Sequence, residues 1–270
     1  MPLASAIAQI YISHWKYTPN YRGKFFLAKC LDRIFKSFKA RTAYGVQLNI
    51  FLSSSMDMSY CEPIATNPHH HTVEVLKQLK PGDLFCDIGS NIGFFALIAA
   101  EQVGKTGLVV CFEPSAREFT RLVQNLADNQ AENVVFFNTA LSDQVGVARF
   151  LTAKTHTGLN FLADTASNPD FDACLIPTLP GDLVLEPLLA QRTGKALVKI
   201  DVEGAEYQVI CGMEQFLANP LVHTVVVEVT AKFLARFGHT PAMLYAKMAE
   251  LGFRPTIESA AWQYDQVFVR

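Results

Sequence analysis

The segment Asp87–Gly93, which reads Asp-Ile-Gly-Ser-Asn-Ile-Gly, constrains the fold of this chain more than any other feature. It joins a predicted strand at 84–88, apolar except for Asp87, to a helical pattern at 93–103. A glycine at position 89 lets the backbone turn sharply and lets a ligand approach main-chain atoms that a Cβ would shield. A strand, a glycine turn and a helix in this order are typical of the ligand-binding edge of an open α/β sheet.

Short β-rich runs alternate with helical stretches from residue 82 onward, and this alternation predicts an α/β fold. The expected sheet is mostly parallel, has helices on both faces and ends in an antiparallel strand. The predicted strands occupy 84–88, 108–112, 134–137, 196–201, 222–229, 254–257 and 266–269. The predicted helices occupy 93–103, 116–129, 205–217 and 241–251. A further helix is expected to begin with Asn67 as its N-cap and Pro68 at its first position.

The chain of 270 residues is long enough for one large domain with an extension. We expect a basic, aromatic, helical extension at 1–60 and a ligand-binding domain at 61–270, with a β-rich insertion at about 143–180. Half of the residues are hydrophobic and 18% are charged, which excludes a globally disordered chain. The longest apolar run, 94–100, is far shorter than the roughly 18 to 20 residues that span a bilayer.

Charge is distributed unevenly along the chain: residues 1–41 carry a net charge of +7, whereas the rest carries −9. Within 16–41, apolar residues at helical spacing alternate with cations, which predicts an amphipathic cationic helix that runs through Phe38. Two interpretations stay open. The apolar stripe packs on the main domain, or the segment contacts an anionic membrane surface or an acidic partner.

The compartment is predicted from the start of the chain and from its cysteines. The chain starts with a mildly apolar stretch, and its first cation is Lys16. A secretion signal typically has a cation before the apolar stretch, and that pattern is missing here. The six cysteines lack the paired spacings of a zinc site. Free thiols are typical of a reducing compartment. We therefore expect a cytoplasmic protein, with membrane association left open by the basic segment.

An acidic residue follows the second predicted strand. Glu113 comes 20 residues after Gly93, where its side chain can accept both hydroxyl protons of a ribose. The glycine turn and this acid together predict a nucleoside site. A dinucleotide fold uses Gly-x-Gly-x-x-Gly, but the spacing here is Gly-x-x-x-Gly and position 87 is an aspartate. Because a carboxylate repels a pyrophosphate and attracts a sulfonium or an ammonium, S-adenosylmethionine is favoured over NAD.

Four motifs give the chain a clear resemblance to the FkbM family of S-adenosylmethionine-dependent methyltransferases. They are Lys80-Pro81-Gly82-Asp83 leading into 87–93, Phe112-Glu113-Pro114, Ala140-Leu141-Ser142-Asp143 and Lys199-Ile200-Asp201-Val202-Glu203-Gly204-Ala205-Glu206. The resemblance covers roughly residues 80–230 and does not include 1–60. It implies a Rossmann-like class I methyltransferase fold with a seven-stranded sheet. It also implies O-methylation of a hydroxyl on a sugar, a lipid such as a glycolipid, or a small secondary metabolite.

The resemblance assigns cofactor roles to positions of this chain. Asp87, Gly89 and Asn91 would hold the methionine end of S-adenosylmethionine, Glu113 the ribose, and the turn Ser142–Asp143 the adenine. An equally good interpretation of Asp143 is a turn residue that caps its own backbone. The full set of cofactor residues expected on this basis is Asp87, Gly89, Ser90, Asn91, Gly93, Glu113, Ser142 and Asp143.

Candidate catalytic residues follow the fourth core strand. Lys199 and Asp201 are two residues apart, so their side chains share a face of the sheet. Asp201 is the first choice for the base or for the residue that orients the acceptor. An ion pair with Lys199 that only satisfies the end of the sheet is the alternative. Glu203 is a candidate for contact with the acceptor, and His156 in the loop 155–158 is a second candidate base.

Glu228 ends the next predicted strand. With Asp201 it would place two carboxylates at neighbouring strand ends, enough to hold Mg²⁺ partly through water. Two independent polar groups in a wet cleft are the alternative. His69–His71 follow a cap signal and are interpreted as the start of a helix and not as a metal-binding tract.

We therefore expect a methyltransferase that acts on a small-molecule or carbohydrate acceptor. An NAD-linked oxidoreductase and a non-catalytic nucleoside-binding protein of the same fold are the rival hypotheses. Nucleic acid is not an expected partner, because the chain after residue 41 is acidic and has no Asn-Pro-Pro-Tyr-like signature. A Gly89→Val variant is expected to lose the cofactor and keep its fold.

Overall fold

The computed structural model describes residues 3–18, 22–153, 160–162, 170–256 and 263–270. The helices are α1 (Leu3–Tyr17), α2 (Arg22–Phe35), α3 (Ser55–Tyr60), α4 (His70–Leu76), α5 (Phe94–Val103), α6 (Ala116–Asp128), α7 (Asp182–Leu189), α8 (Glu206–Cys211), α9 (Glu214–Ala218), α10 (Ala231–Leu234) and α11 (Pro241–Glu250). The strands are β1 (Phe38–Arg41), β2 (Gln47–Ile50), β3 (Leu84–Ile88), β4 (Leu108–Phe112), β5 (Val134–Phe137), β6 (Ala140–Leu141), β7 (Gly146–Ala153), β8 (Phe161–Leu162), β9 (Phe171–Leu179), β10 (Ala196–Ile200), β11 (Val222–Thr230), β12 (Arg254–Pro255) and β13 (Gln263–Val269).

The central sheet contains seven strands in the order β12-β13-β11-β10-β3-β4-β5. Neighbours from β11 to β5 pair in parallel, and β13 pairs antiparallel with β11 and with β12. The central strands β3, β4 and β10 are buried along their whole length, as expected for strands covered on both faces. The predicted α/β class, the mostly parallel seven-stranded sheet and its antiparallel last strand are confirmed.

The strand order reverses at β3. The chain enters the sheet there, builds outward through β4 and β5, and returns to the other side of β3 as β10. In this register Lys199 lies beside Asp87. At such a reversal the loops after the two strands diverge and leave a crevice at the carboxyl ends of the strands. The fold therefore brings the glycine turn at 89–93 and the segment after Ile200 to one edge.

The predicted β-rich insertion at about 143–180 contributes to a second sheet, with the order β6-β9-β7-β8. Its long strands β7 and β9 pair antiparallel, with Phe150 opposite Cys174. His156, predicted to lie in a loop of this insertion, is outside the described residues.

The helix expected from Asn67 begins later, at His70. Asn67 stabilises a turn before the helix, because its Oδ1 accepts a hydrogen bond from the backbone N–H of His69 at 2.9 Å. The predicted helix N-cap at Asn67 is therefore wrong: His69 occupies the N-cap position without a side-chain cap, and Pro68 lies in the turn that Asn67 stabilises.

The helix expected at 205–217 is divided into α8 and α9. Gly212 lies in the break, where a Cβ would come within 1.9 Å of the backbone oxygen of Ser142. Met213, the next residue, has a φ of −136°, which is not helical. The close approach of the chain at Ser142 accounts for the glycine at the break.

The N-terminal extension is helical at α1 and α2, but the prediction of a helix that runs through Phe38 is wrong. Residues 38–50 form an antiparallel hairpin in which Phe38 pairs with Ile50. Phe38 and Ala40 are buried whereas Lys39 is exposed, and this alternation of side chains is that of a strand. Pairing with β2 and burial of one face outweigh the helical spacing of the apolar residues.

The apolar stripe expected on α2 packs on the core only in part. Leu31 and Phe35 contact the core, whereas Leu27 is 45% exposed and Ile34 is 69% exposed. α2 therefore presents apolar side chains to solvent beside its cations. Among the described helices, none combines the length and the hydropathy needed to cross a membrane.

The extension is joined to the rest of the chain by one core. The hairpin β1–β2 shares a hydrophobic cluster with β3 and α5. The Oδ1 of Asn125 on α6 accepts a hydrogen bond from the backbone N–H of Asn49 at 2.8 Å. Arg121 on α6 forms an ion pair with the buried Asp57. The boundary at residue 60 stays a prediction, since the packing continues across it.

Candidate active site

A pocket opens at the carboxyl ends of β3, β4 and β10, at the edge where the strand order reverses. The loops after these strands form its floor and sides, and the insertion and the α3–α4 region complete its walls. The residues predicted from the sequence that line it are Gly89, Ser90, Asn91, Glu113, Lys199, Asp201 and Glu203. The fold thus brings most of the predicted site residues into one space.

Backbone geometry builds the glycine turn. Gly89 has a φ of 84°, and a Cβ there would lie 1.8 Å from the backbone oxygen of Asp201. The N–H groups of Gly89 and Ser90 both donate to the oxygen of Phe112, at 2.9 and 3.0 Å. Gly93 does not line the pocket, and a Cβ there would meet a leucine of α6 at 2.5 Å. Contact with the main chain after β10 therefore requires Gly89, and packing against α6 requires Gly93.

Glu113 follows β4 and faces the pocket with its carboxylate held in place. Its Oε2 accepts a hydrogen bond from the backbone N–H of Asn91, and its Oε1 accepts one from Ser115, both at 2.8 Å. Burial raises the pKa of Glu113 to about 8, although the Ser115 amide opposes the shift. Each carboxylate oxygen has a second lone pair, so Glu113 can accept from a further donor such as a ribose hydroxyl.

Asp87 lies beneath the pocket and is not part of its wall. Its side chain is completely buried, and neither carboxylate oxygen has a described partner with hydrogen-bond geometry. Burial raises the pKa of Asp87 to about 6, the Lys199 ammonium lowers it, and the nearby Ala96 amide lowers it further. Since Asp87 does not line the pocket, its direct contact with the methionine end of a cofactor stays a prediction.

Lys199 and Asp201 form an ion pair at the end of β10, with 2.7 Å between Nζ and Oδ2. Lys199 is buried, whereas the side chain of Asp201 is 30% exposed. The Nζ of Lys199 also lies 4.7 Å from the ring centroid of Phe95. Burial lowers the pKa of Lys199, but the Asp201 carboxylate and two further aspartates offset this effect, so the pKa lies above its usual value. The lysine is therefore a constant cation that fixes Asp201 at the pocket wall.

Glu203 and Glu206 belong to the loop after β10. Glu206 accepts hydrogen bonds from the backbone N–H groups of Gly204 at 2.9 Å and Val202 at 3.3 Å, so it stabilises the loop. Glu203 lines the pocket and has a φ of 58°, which is uncommon for a residue with a Cβ. Burial, followed by the charges of Asp201 and Glu206, raises the pKa of Glu203 to about 9.

Glu228 joins Asp201 and Glu203 in a cluster of carboxylates, in which one oxygen of each residue lies within 4.8 Å of the others. The Oε1 of Glu228 accepts a hydrogen bond from Gln263 at 2.5 Å, while its Oε2 has no described partner. Carboxylate oxygens are the ligands that Mg²⁺ prefers in proteins. The geometry extends the predicted pair Asp201 and Glu228 to three carboxylates.

Residues 87–255, more than half of the chain, match the model of the methyltransferase FkbM domain. The chain belongs to the FkbM methyltransferase family. The resemblance inferred from the motifs is confirmed, and so is the seven-stranded sheet that it implied.

Two curated relatives share part of this FkbM-family chain. Hexuronic acid methyltransferase AglP from Haloferax volcanii is 29% identical over 157 residues, which cover 58% of this chain and 60% of the relative. The 31-O-demethyl-FK506 methyltransferase FkbM from Streptomyces tacrolimicus is 32% identical over 179 residues, which cover 56% of this chain and 67% of the relative. The similarity to AglP thus spans less than two thirds of that relative's length.

Solved structures of methyltransferases also resemble the chain. Methyltransferase FkbM from Methylobacillus flagellatus KT aligns with a TM-score of 0.44 at 11% identity, covering 74% of this chain and 51% of that chain. A SAM-dependent methyltransferase from Aquifex aeolicus aligns with a TM-score of 0.42 at 10% identity, covering 73% of this chain and 88% of that chain.

Ser142 and Asp143, expected at the adenine, line a neighbouring cavity instead of the pocket. The Oγ of Ser142 donates to the Asp143 carboxylate at 3.1 Å. Thr139, Ala140 and Leu141 form the pocket wall at this level. The chain leaves the pocket after β6 and turns towards the insertion, which is why the last two residues of the motif face elsewhere. His156 lies outside the described residues, so its role stays a prediction.

Three pocket residues of this FkbM-family protein precede all of the motifs in the sequence. Met56, Tyr60 and His69 line the pocket from the side of the extension. The ring of Tyr60 stacks on Phe94 with 4.6 Å between centroids, and the ring of His69 lies 4.8 Å from that of Tyr60. Of the three, only His69 falls in a sequence pattern, namely the helix start predicted at 67–71. No spacing rule joins them to the later motifs, because tertiary packing alone brings them together.

Proposed function

We propose that the protein transfers the methyl group of S-adenosylmethionine to a hydroxyl oxygen of a neutral sugar, glycolipid or small hydroxylated metabolite. The observation that carries the proposal is a single pocket lined by the glycine turn, by Glu113 and by the Lys199–Asp201 pair. The first two suit a nucleoside, and the pair suits a hydroxyl acceptor. Membership of the FkbM family supports methyl transfer as the reaction.

S-adenosylmethionine supplies a methyl group on a sulfonium that is already a strong electrophile. The protein therefore needs to bind the cofactor and align the acceptor. Glu113 would accept the ribose hydroxyls with the lone pairs left by its two amide partners. The main chain at 89–91 suits the methionine part. Thr139–Leu141 suit the adenine in place of Ser142 and Asp143, because they line the pocket.

The charge of the pocket favours a cationic cofactor and a neutral acceptor. Glu113, Asp201 and Glu203 line it, and its one lining ammonium among the described residues, Lys199, is paired with Asp201. Burial raises the pKa of Glu113 to about 8 and that of Glu203 to about 9, so both are largely protonated near pH 7 until a cation binds. A sulfonium is attracted by Asp201 and favours the ionised forms of the two glutamates, whereas the phosphates of NAD are repelled. For the same reason an acceptor with a carboxylate should react less well than a neutral sugar, although the relative AglP is named for a hexuronic acid.

Asp201 would contact the acceptor hydroxyl. Its Oδ2 is held by Lys199, and the side chain is partly exposed at the pocket wall. A carboxylate fixed in this way can orient an incoming hydroxyl by accepting its hydrogen bond. The variant Asp201→Asn should bind S-adenosylmethionine normally and turn over slowly.

The test is incubation with a methyl-labelled donor and a panel of neutral sugars, glycolipids, phenols and uronic acids. Labelled product from a neutral hydroxyl, strongly reduced in Asp201→Asn at unchanged cofactor affinity, would support the proposal. Cofactor binding without product from any acceptor would favour the non-catalytic binding protein. Tight NADH binding with no affinity for S-adenosylmethionine would favour the oxidoreductase.

The same proposal includes the binding of Mg²⁺ at the pocket. The observation that favours it is the cluster of Asp201, Glu203 and Glu228, in which buried oxygens of the two glutamates have no described partner. A divalent cation held there would supply Lewis acidity to an acceptor oxygen. Activity lost in EDTA and restored by Mg²⁺ is the expected result. If activity is indifferent to EDTA, no metal is needed, and protonation of a glutamate relieves the repulsion among the three carboxylates instead. The pKa of Glu203, which burial raises to about 9, agrees with that outcome.

A further inference from the structure

His69 is a pocket residue that lies outside the matched segment 87–255. It comes directly before α4 and shares the pocket with Lys199 and Asp201. Its ring contacts the rings of Tyr60 and Phe95, with centroids 4.8 and 5.7 Å away. These contacts hold the imidazole in place at the pocket, against the first turn of α5.

Hydrogen bonds determine which nitrogen of His69 carries the proton. The Ser59 hydroxyl has one proton and donates it to the backbone oxygen of Met56 at 2.7 Å. With that hydrogen bond kept, Nε2–H is the donor in the contact of 2.8 Å between Ser59 Oγ and His69 Nε2, whereas the other tautomer would need the hydroxyl to turn away from Met56. A neutral imidazole then carries its lone pair on Nδ1. The described residues offer Nδ1 no hydrogen bond.

The surroundings keep this imidazole neutral at physiological pH. Burial and the Lys199 ammonium lower the pKa of His69 to about 4, and the Asp201 carboxylate opposes them. The other groups packed on the ring are the uncharged aromatic rings of Tyr60 and α5. Nδ1 is therefore unprotonated and faces no competing proton before the reaction.

Asp201 is less suited to take a proton, because its carboxylate is paired with the buried Lys199 at 2.7 Å. Protonation would remove the Coulombic stabilisation of that pair. Protonation of His69 instead creates a cation that the Lys199 ammonium repels and the Asp201 carboxylate attracts, and it breaks no existing ion pair. The two residues can therefore divide the work, with Asp201 orienting the hydroxyl and His69 receiving its proton.

We propose that Nδ1 of His69 takes the proton of the acceptor hydroxyl during methyl transfer, an inference that rests on the proposed function. The acceptor oxygen bonds to the methyl carbon as the carbon–sulfur bond breaks, and the electron pair of that bond stays on sulfur. The hydroxyl proton passes to Nδ1, and the imidazolium releases it to water after the product leaves. Atoms and charge balance without a further reactant.

The test compares wild type with His69→Ala and His69→Gln. We expect kcat to fall at least about 100-fold, since general-base catalysis contributes about 10² to 10⁴ in rate. The Kd for S-adenosylmethionine should stay unchanged in calorimetry, and added imidazole should restore part of the activity of His69→Ala. The loss should be smaller for phenols than for sugars, because a more acidic hydroxyl depends less on a base. A purely structural defect would slow all acceptors alike.

The matched control is His71→Ala, because His71 is an exposed histidine two residues along the chain. It should retain the activity of wild type. Equal kcat in wild type and both His69 variants would overturn the role of His69 and leave the proposed function intact. A wild type that methylates no acceptor of the panel would overturn the proposed function and this inference together.

Nitrogen NMR of histidine-labelled protein tests the same inference without turnover. The His69 signals, assigned by their loss in His69→Gln, should show a neutral ring with the proton on Nε2 at neutral pH. A ring protonated on Nδ1, or an imidazolium, would overturn the inference even if the enzyme is active.

Discussion

Glu113 links two loops of the cofactor site, because its carboxylate binds the amides of both Asn91 and Ser115. Glu113→Ala removes the acceptor for the ribose hydroxyls and should weaken S-adenosylmethionine binding by about 1.5 to 3 kcal/mol, the range for hydrogen bonds to charged groups. Isothermal titration calorimetry measures this change. Glu101→Ala, at an exposed position of α5, is the control and should bind like wild type. Unchanged affinity in Glu113→Ala would exclude Glu113 from the site.

Asp87 should make the stability of the ligand-free protein depend on pH. Burial raises its pKa from the usual 3.8 to about 6. Between these values the folded chain keeps a proton that the unfolded chain has lost, so stability falls as the pH rises through this window. Asp87→Asn should therefore stabilise the protein near neutral pH, by up to about 3 kcal/mol, and have little effect near the usual pKa of an aspartate. Urea unfolding at the two pH values is the measurement, and an equal effect at both would contradict the explanation.

Gly89 shows how far the role of one residue can be predicted from the sequence. The need for glycine follows from the turn between β3 and α5. The group that a Cβ would meet does not, because Asp201 belongs to a distant part of the chain and approaches only in the folded sheet. Since a Cβ would lie 1.8 Å from that backbone oxygen, the expectation that Gly89→Val keeps its fold is wrong.

At the scale of elements, α2 presents a face that suits an anionic lipid surface. Phe26 is 71% exposed, the exposed cations Lys29 and Arg33 follow it on α2, and the exposed Lys36 comes directly after the helix ends. Basic residues near an anionic membrane contribute about 1 kcal/mol each. Lys29→Glu combined with Arg33→Glu should therefore abolish co-sedimentation with phosphatidylserine vesicles. Lys105→Glu, an exposed lysine away from α2, is the control. Wild type that ignores these vesicles would contradict the prediction.

Buried strands were the easiest elements to predict, and the hairpin of the extension was the hardest. β4 is an uninterrupted apolar run and β3 is apolar except for Asp87, so their bounds agree with the prediction. In β1 the alternation of Phe38, Lys39 and Ala40 indicates a strand, but the apolar residues over 27–38 also fit a helix. A short segment can fit both the two-residue period of a strand and the 3.6-residue period of a helix. Pairing with β2 makes this segment a strand, and that pairing cannot be read from the local sequence pattern.

At the scale of the molecule, Asn125 connects three parts of the chain. Its Oδ1 accepts from the backbone N–H of Asn49, and its Nδ2 donates to the oxygen of Ile92 in the glycine turn, both at 2.8 Å. Asn125→Leu would leave the buried oxygen of Ile92 and the partly buried N–H of Asn49 without these partners and should cost about 2 to 5 kcal/mol of unfolding free energy. Urea unfolding measures it. Gln124→Leu, at the exposed neighbouring position, should change stability little. Equal unfolding midpoints in the two variants would contradict this role.

The topology explains which parts of the site were visible in the sequence. Gly89, Glu113 and Asp201 each follow a buried strand, and parallel strands end at a common edge, so their meeting could be predicted. Tyr60 and His69 reach the pocket from segments outside the sheet. Their positions depend on how the extension docks on α5 and α6, and that docking uses scattered contacts without a fixed spacing.

The contact between Gly89 and the main chain of Asp201 also bears on how such an enzyme can be redesigned. The distance between the glycine turn and the loop after β10 is set by the backbone contact of Gly89 with Asp201, and not by a side chain that could be substituted. Wall positions such as Leu162 can therefore be enlarged or trimmed to admit new molecules while the reacting partners keep their alignment. A library for altered specificity belongs on those walls, with both loops left untouched.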